Sequence, residues 1–185
     1  MKTGLIGLGA MGAPIARHLH KHGFLSGVWN RTQTKARSFC TETGAHQTSD
    51  LSELPEICDL IITCVSRDQD VKAIASQLLP TLKPGSIIVD TSTISPTSAM
   101  ELAALLKQQQ VRFLDAPVTG GVEGAINGQL AMMVGGDSQV LEQCRPVLNS
   151  FTRRIEHMGG HGKGQAAKTV NQLMAAGINQ AVSQA

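Results

Sequence analysis

Lys168, Asn171 and Gln172 stand at i, i+3 and i+4 of a helical pattern that opens just after the glycine run from Gly159 to Gly164. Their side chains therefore share one helix face. A lysine whose pKa is lowered by burial can give or take the proton of an alcohol oxygen, and an asparagine one turn on can hold the same oxygen or fix the ammonium group. That pair suits a reaction in which hydride leaves or joins the carbon bearing the oxygen. A lone lysine near a helix start is more often a solvated surface charge, so the assignment leans on two further motifs.

The first is Gly7, Gly9 and Gly12, a G-x-G-x-x-G turn with Ala10 and Met11 inside it. It follows the strand-like run Thr3 to Ile6 and precedes the helix-like run Ala13 to His22. In that setting the first glycine permits the tight turn, the second lets the backbone approach a pyrophosphate, and the third allows close helix packing. Helix N-terminal amides then face the phosphates. About 20 residues on, where an acid would bind the ribose 2′-hydroxyl of NAD and an arginine a 2′-phosphate, the chain reads Trp29-Asn30-Arg31-Thr32. Arg31, with Asn30 and Thr32 as added donors, favours NADP(H). The second motif is Asp115 to Gly121, D-A-P-V-T-G-G. Thr119, Gly120 and Gly121 lie just past a strand, where backbone amides converge on an anion and fit a substrate carboxylate.

The elements that must position these residues alternate from the start. Strands are expected at Thr3 to Ile6, Gly27 to Trp29, Leu60 to Val65, Ser86 to Asp90, Arg112 to Asp115 and Leu130 to Val134, with a further one at Arg154 to Met158. Helical periodicity falls between them, as at Val71, Ile74, Ala75, Leu78 and Leu79. Ser95 before Pro96 reads as a helix N-cap. Alternation of this kind predicts an α/β fold, a doubly wound, Rossmann-like parallel sheet. Residues 1–162 are read as the dinucleotide-binding domain and 163–185 as the start of a long helix. Val170, Leu173, Met174, Gly177, Ile178, Ala181, Val182 and Ala185 give that helix an apolar face with no stop signal. It is expected to pack on another subunit or on further chain, and a homo-oligomer through this helix is the expected assembly.

Composition narrows the function classes. Net charge is only +2 and aromatics are 3%, with no basic cluster, so no nucleic-acid or anionic-membrane footprint is expected. The four cysteines lack C-x-x-C spacing, which favours reduced thiols in a cytoplasmic protein. The first strand begins almost at Met1, leaving no expected leader peptide. His18 and His22 share a helix face without an accompanying acid or cysteine, and no metal site is expected.

Taken together, GLIGLGAMGAPIARHL from Gly4, WNRT from Trp29, DTSTISP from Asp90, DAPVTGGVEGAINGQLAMMVGG from Asp115 and GHGKGQAAKTVNQ from Gly160 resemble the β-hydroxyacid dehydrogenase family. That family includes 3-hydroxyisobutyrate dehydrogenase, tartronate semialdehyde reductase and the glyoxylate and succinic semialdehyde reductases. The resemblance implies that the glycine turn and Asn30-Arg31-Thr32 hold the dinucleotide, with Val65 and Thr93 near its nicotinamide half. It places the substrate carboxylate on Thr119, Gly120 and Gly121, beside Gln172, and makes Lys168 the catalytic acid or base assisted by Asn171. It also implies a helical second domain beyond the long helix, outside this sequence. The expected activity is hydride transfer between NADP(H) and a small 3-hydroxy acid or its semialdehyde. The competing expectation is a non-catalytic NADP(H)-binding or assembly module.

Overall fold

The computed structural model describes residues 1–184, which form an α/β fold on one eight-stranded sheet. The first half of the chain runs β1 (Thr3–Ile6), α1 (Gly12–Lys21), β2 (Leu25–Trp29), α2 (Gln33–Thr43), a 3-10 turn (Leu51–Glu53) with α3 (Leu54–Ile57), β3 (Leu60–Thr63), α4 (Asp68–Leu78) and β4 (Ile87–Asp90). The second half runs α5 (Pro96–Lys107), β5 (Arg112–Asp115), β6 (Val118–Thr119), α6 (Gly121–Ile126), β7 (Leu130–Gly136), α7 (Ser138–Leu148), β8 (Thr152–Gly159) and α8 (Lys163–Gln184). Ala185, the last residue of the apolar face expected for the terminal helix, lies outside the described residues.

The inner strands β1, β3 and β4 are short runs buried throughout because both faces of the sheet are covered there. Leu5, Leu60, Ile62, Ile87, Val89 and Leu114 point to one core, where α1 brings Ile15 and Leu19 and α7 brings Leu141 and Leu148. Ile6, Ile61, Ile88 and Phe113 point to the other, against Val71, Ile74 and Leu78 of α4 and Leu102 and Leu106 of α5. The α4 face read from periodicity is thus buried, with Leu79 at its margin. Ser95 caps α5 as its place before Pro96 predicts, its hydroxyl accepting the Ser98 amide at 3.1 Å.

The strand order is β2-β1-β3-β4-β5-β7-β6, with β8 on β7. The sheet is parallel from β2 to β5, and there the expected parallel arrangement ends. β7 runs antiparallel to both β5 and β6, then parallel to β8. The physical reason lies in the connection: β6 follows β5 after two residues and the six-residue α6 leads straight back into β7, too little chain for a parallel crossover, which takes a dozen residues or more.

Register places the working edge. Ile6 pairs with Trp29 and Thr63, Thr63 with Asp90, and Asp90 with Asp115, so five strands end in one row. The glycine turn, Asn30, Val65, Thr93 and the Ala116–Gly121 segment all lie just beyond that row. From β1 the chain goes one way to β2 and the other way to β3, which puts the topological switch point, where open α/β sheets bind ligands, next to the glycine turn.

Candidate active site

The glycine turn is shaped by what its neighbours leave no room for. A Cβ on Gly7, whose φ is +99°, would stand 2.3 Å from the Cys64 carbonyl oxygen, and one on Gly12 would collide with the Gly7 carbonyl. A Cβ on Gly9 would meet nothing within 4 Å. Gly7 and Gly12 are therefore required by the fold itself, while the space in front of Gly9 is open to a ligand.

Asn30 braces the turn. Its Oδ1 accepts the Leu8 amide at 2.8 Å and its Nδ2 donates to the Thr32 carbonyl at 2.9 Å. The amide of Asn30 thus holds the loop that carries Arg31, and the residue also lines the cleft in front of the turn. Thr32 contributes a carbonyl to this brace, and its side chain stays at the exposed rim.

In front of the turn lies a cleft of about 260 Å³, walled by Gly7 and Gly9, Trp29 to Thr32, Lys35, Val65, Asp70 and Ile74 among others. Its size suits part of a dinucleotide, since sites for whole ligands run from roughly 300 Å³ upward. Ala10 and Met11 continue the turn into α1 without lining this cleft. Arg31 donates from Nη1 to Asp70 Oδ1 at 2.9 Å. No acid stands near this arginine in the sequence; the fold brings one from α4, 39 residues away. A larger cavity of about 560 Å³ is lined mostly by apolar residues of α5 with Val111, Phe113 and Val140, and by none of the glycine turn, Thr119 or Lys168.

Lys168 is only 6% exposed. Burial pushes its ammonium group below the ordinary lysine value, and Nζ donates to Gln172 Oε1 at 3.3 Å. Asn171 reaches the other motif, its Nδ2 standing 3.4 Å from Thr119 Oγ1. Beyond Thr119 the chain turns through Gly120 and Gly121, at φ of 124° and 65°, into α6. The lysine helix and the Thr119 loop, about 50 residues apart in sequence, thus meet in space.

Three residues outside the expected site, Asp115, Gln165 and Ser92, hold this meeting in place. Asp115, fully buried at the end of β5, accepts the amides of Gly162 and Gln165 at 2.8 and 3.0 Å. It caps α8 from a different element, supplying the acceptor that N-terminal helix amides need. Gln165 spans to the segment after β4, donating to the Ser92 carbonyl at 2.8 Å and accepting the Ile94 amide at 3.2 Å, which clamps exposed Thr93 from both sides. Ser92 in turn accepts the Val65 amide at 2.9 Å. A continuous line of hydrogen bonds therefore runs from the cleft wall at Val65 to the helix of Lys168. The only sequence signal for it was the acid closing the β5 run, because a glutamine in a helix start looks like any solvated residue.

The two cysteines flanking β3, Cys64 just beyond the row and Cys58 at the opposite end of the strand, are not nucleophiles. Burial pushes the Cys64 thiol up to about 11 and that of Cys58 to about 12, so both stay protonated at neutral pH. Among the described residues no His, Cys, Asp and Glu cluster could hold a metal ion, and no helix is long and apolar enough to cross a membrane.

A family model described as the NAD binding domain of 6-phosphogluconate dehydrogenase matches residues 2–160. The chain belongs to that family. Within it, the chain resembles the β-hydroxyacid dehydrogenases, as its motifs implied. It is 41% identical over 177 residues to an uncharacterized oxidoreductase of Synechocystis, covering 94% of this chain and 61% of that protein. It is 38% identical over 174 residues to the NAD-dependent L-serine dehydrogenase of Pseudomonas aeruginosa, covering 92% and 58%. The solved 3-hydroxyisobutyrate dehydrogenase of Mycobacterium tuberculosis with L-serine is 36% identical, with a TM-score of 0.90 over 95% of this chain and 60% of that one. The chain thus spans about three fifths of the length of such relatives.

Proposed function

We propose that this chain is the nucleotide-binding part of an oxidoreductase that transfers hydride between NADP(H) and a small 3-hydroxy acid or the matching semialdehyde. Substrates of 3-hydroxyisobutyrate, tartronate semialdehyde or glyoxylate type fit the reading. The single observation that carries it is the contact of Asn171, one turn on from buried Lys168, with Thr119, on a helix joined by hydrogen bonds to the wall of an open glycine-turn cleft.

In this reading the glycine turn takes the pyrophosphate, Arg31 and Lys35 face a 2′-phosphate, and Val65 and Thr93 flank the nicotinamide. The bound nicotinamide supplies the hydride chemistry. Thr119, Gly120, Gly121 and Gln172 hold the substrate carboxylate end, while Lys168 holds or moves the proton on the reacting oxygen and Asn171 keeps that oxygen in place. Lowering the lysine pKa towards the working pH increases the fraction able to accept a proton. Two relatives whose names or solved complexes carry L-serine, itself a 3-hydroxy acid, support the substrate class.

Residues 1–162 serve as the nucleotide domain and 163–185 as the start of a connecting helix. From Val170 onward α8 exposes Leu173, Met174, Ile178 and Val182, and in this reading a helical second domain or a second copy covers them, giving a homo-oligomer.

A screen of small hydroxy acids with NADP⁺, following NADPH absorbance in the protein joined to its helical portion, tests the activity. Turnover is expected with a 3-hydroxy acid, and Lys168→Ala is expected to abolish it while NADPH binding persists. Undiminished turnover in that variant would overturn the role of Lys168. Nucleotide binding without turnover of any acid would favour a binding module instead.

A further inference from the structure

Arg31 and Asp70 meet across the mouth of the nucleotide cleft, one from the segment after β2 and the other from the first turn of α4. The side chains are 82% and 27% exposed, so this is a solvent-facing pair spanning two walls rather than a buried structural bridge. Of the residues lining the cleft, Arg31 and Lys35 are cationic and Asp70 is the one acid. The neighbouring acid Asp68 is turned away, its Oδ2 accepting from the amide and hydroxyl of Ser95.

We propose that Asp70 is a specificity-determining residue of this site, weakening the preference for a 2′-phosphate that Arg31 and Lys35 create. The inference rests on the reading of the cleft as the adenosine end of a dinucleotide site. Asp70 has two opposed effects, and their sizes decide the sign. By orienting Arg31 it assists capture of a phosphate, but an exposed ion pair of this kind changes an equilibrium by a factor of only about one to five. It is also a negative charge beside the phosphate. A phosphate bound to the same guanidinium lies within about 7 Å of the carboxylate, and at its charge of roughly −1.5 to −2 the repulsion across water weakens binding about fivefold at low salt. Repulsion adds to competition for the donors of Arg31, since every donor turned to Asp70 is withheld from the ligand. The net effect is against the 2′-phosphate. For a nucleotide with a free 2′-hydroxyl the repulsion is absent, and the carboxylate is an available acceptor for that hydroxyl. The pair therefore levels the affinities for the two forms of the cofactor.

The test compares 2′,5′-ADP with 5′-AMP on the wild-type chain and on Asp70→Asn, by calorimetry or by fluorescence of Trp29, the one tryptophan of the chain and part of the cleft wall. Asp70→Asn is expected to tighten 2′,5′-ADP three- to tenfold and to leave 5′-AMP within twofold. The gain should shrink in 0.5 M salt, where the screening length falls to a few ångströms. Unchanged or weaker 2′,5′-ADP binding in Asp70→Asn, alongside clear binding by wild type, overturns the role of Asp70 and leaves the nucleotide reading standing. Failure of wild type to bind either probe overturns both.

Discussion

The carboxylate of Asp115, at the end of β5, accepts the backbone amide of Gln165 in the first turn of the helix that carries Lys168. One buried acid on the sheet thereby fixes where the lysine helix begins, and so the depth to which Lys168 is drawn into the protein. Its loss is expected to act on this joint first. Asp115→Ala leaves two helix amides without acceptors, at a cost of about 2–4 kcal/mol. Urea denaturation measures the loss, and hydrogen exchange should show the Gly162 and Gln165 amides losing protection before those of the sheet core. Retained protection at both would show that the cap contributes nothing.

Gly164 separates steric need from mere composition. A Cβ there would lie 2.5 Å from the carbonyl oxygens of Asp115 and Met133 and 2.8 Å from the Gly135 amide nitrogen, all of them backbone atoms that cannot swing aside. Gly164→Ala is expected to destabilise the chain by more than about 2 kcal/mol. Gly160, four residues earlier, has nothing within 4 Å of such a Cβ, and Gly160→Ala should stay within about 0.5 kcal/mol of wild type. Equal melting temperatures for the two variants would contradict the packing described here.

Gly9 offers the reverse case, a glycine that the fold does not need. Because a Cβ on it meets open space, Gly9→Ala should fold with unchanged stability yet lose at least tenfold in NADPH affinity, the methyl standing where the pyrophosphate must approach the backbone. Titration followed by Trp29 fluorescence reads this directly. Wild-type affinity in Gly9→Ala would remove the glycine turn from the binding site.

Asp90 gives a pH dependence of defined sign. It is fully buried, and desolvation pushes its carboxyl from the ordinary 3.8 up to about 6, although Thr63 and Ser92 donate to Oδ1 and pull the other way. Its Oδ2 is buried without a partner. A raised folded-state value means that the folded protein keeps this proton after the unfolded chain has released it. The contribution is therefore fully present below about pH 4 and lost as pH rises towards 6, by up to about 3 kcal/mol. Other acids are held below their ordinary values by hydrogen bonds, Asp50 and Asp68 among them, and act with the opposite sign. The difference between wild type and Asp90→Asn isolates the effect: its stability advantage for wild type should decline from pH 4 to pH 6 and then level off. A flat difference would place the Asp90 titration outside that range.

Lys168 carries the remaining prediction. Desolvation lowers its pKa, so its ¹³Cε resonance should titrate below the ordinary lysine range of about 10.4. Bound NADP⁺, which adds a positively charged ring to the site, should lower it further. A titration at the ordinary value in both states would show the amine to be solvated.

Much of the nucleotide end was legible in residues alone because it is local. A glycine turn between a strand and a helix carries its own geometry within six residues, and the strands beneath it announce themselves as apolar runs bounded by turns. The lysine face was equally local, since Lys168, Asn171 and Gln172 lie within one helical turn. Even the capping of α5 by Ser95 followed from its place before Pro96.

What the tertiary structure alone decided are the pairings between distant segments. Asp70 opposite Arg31, Gln165 between Ser92 and Ile94, Asp115 on the amides of α8, and the antiparallel return of β7 each join residues from about 20 to 75 positions apart. No spacing rule announces them, because a carboxylate or an amide side chain reads the same in a sequence whether it meets water or a buried partner. Periodicity and turn chemistry set each element of this protein; the stacking of strand ends in one register row determined which side chains meet there, and with what charge.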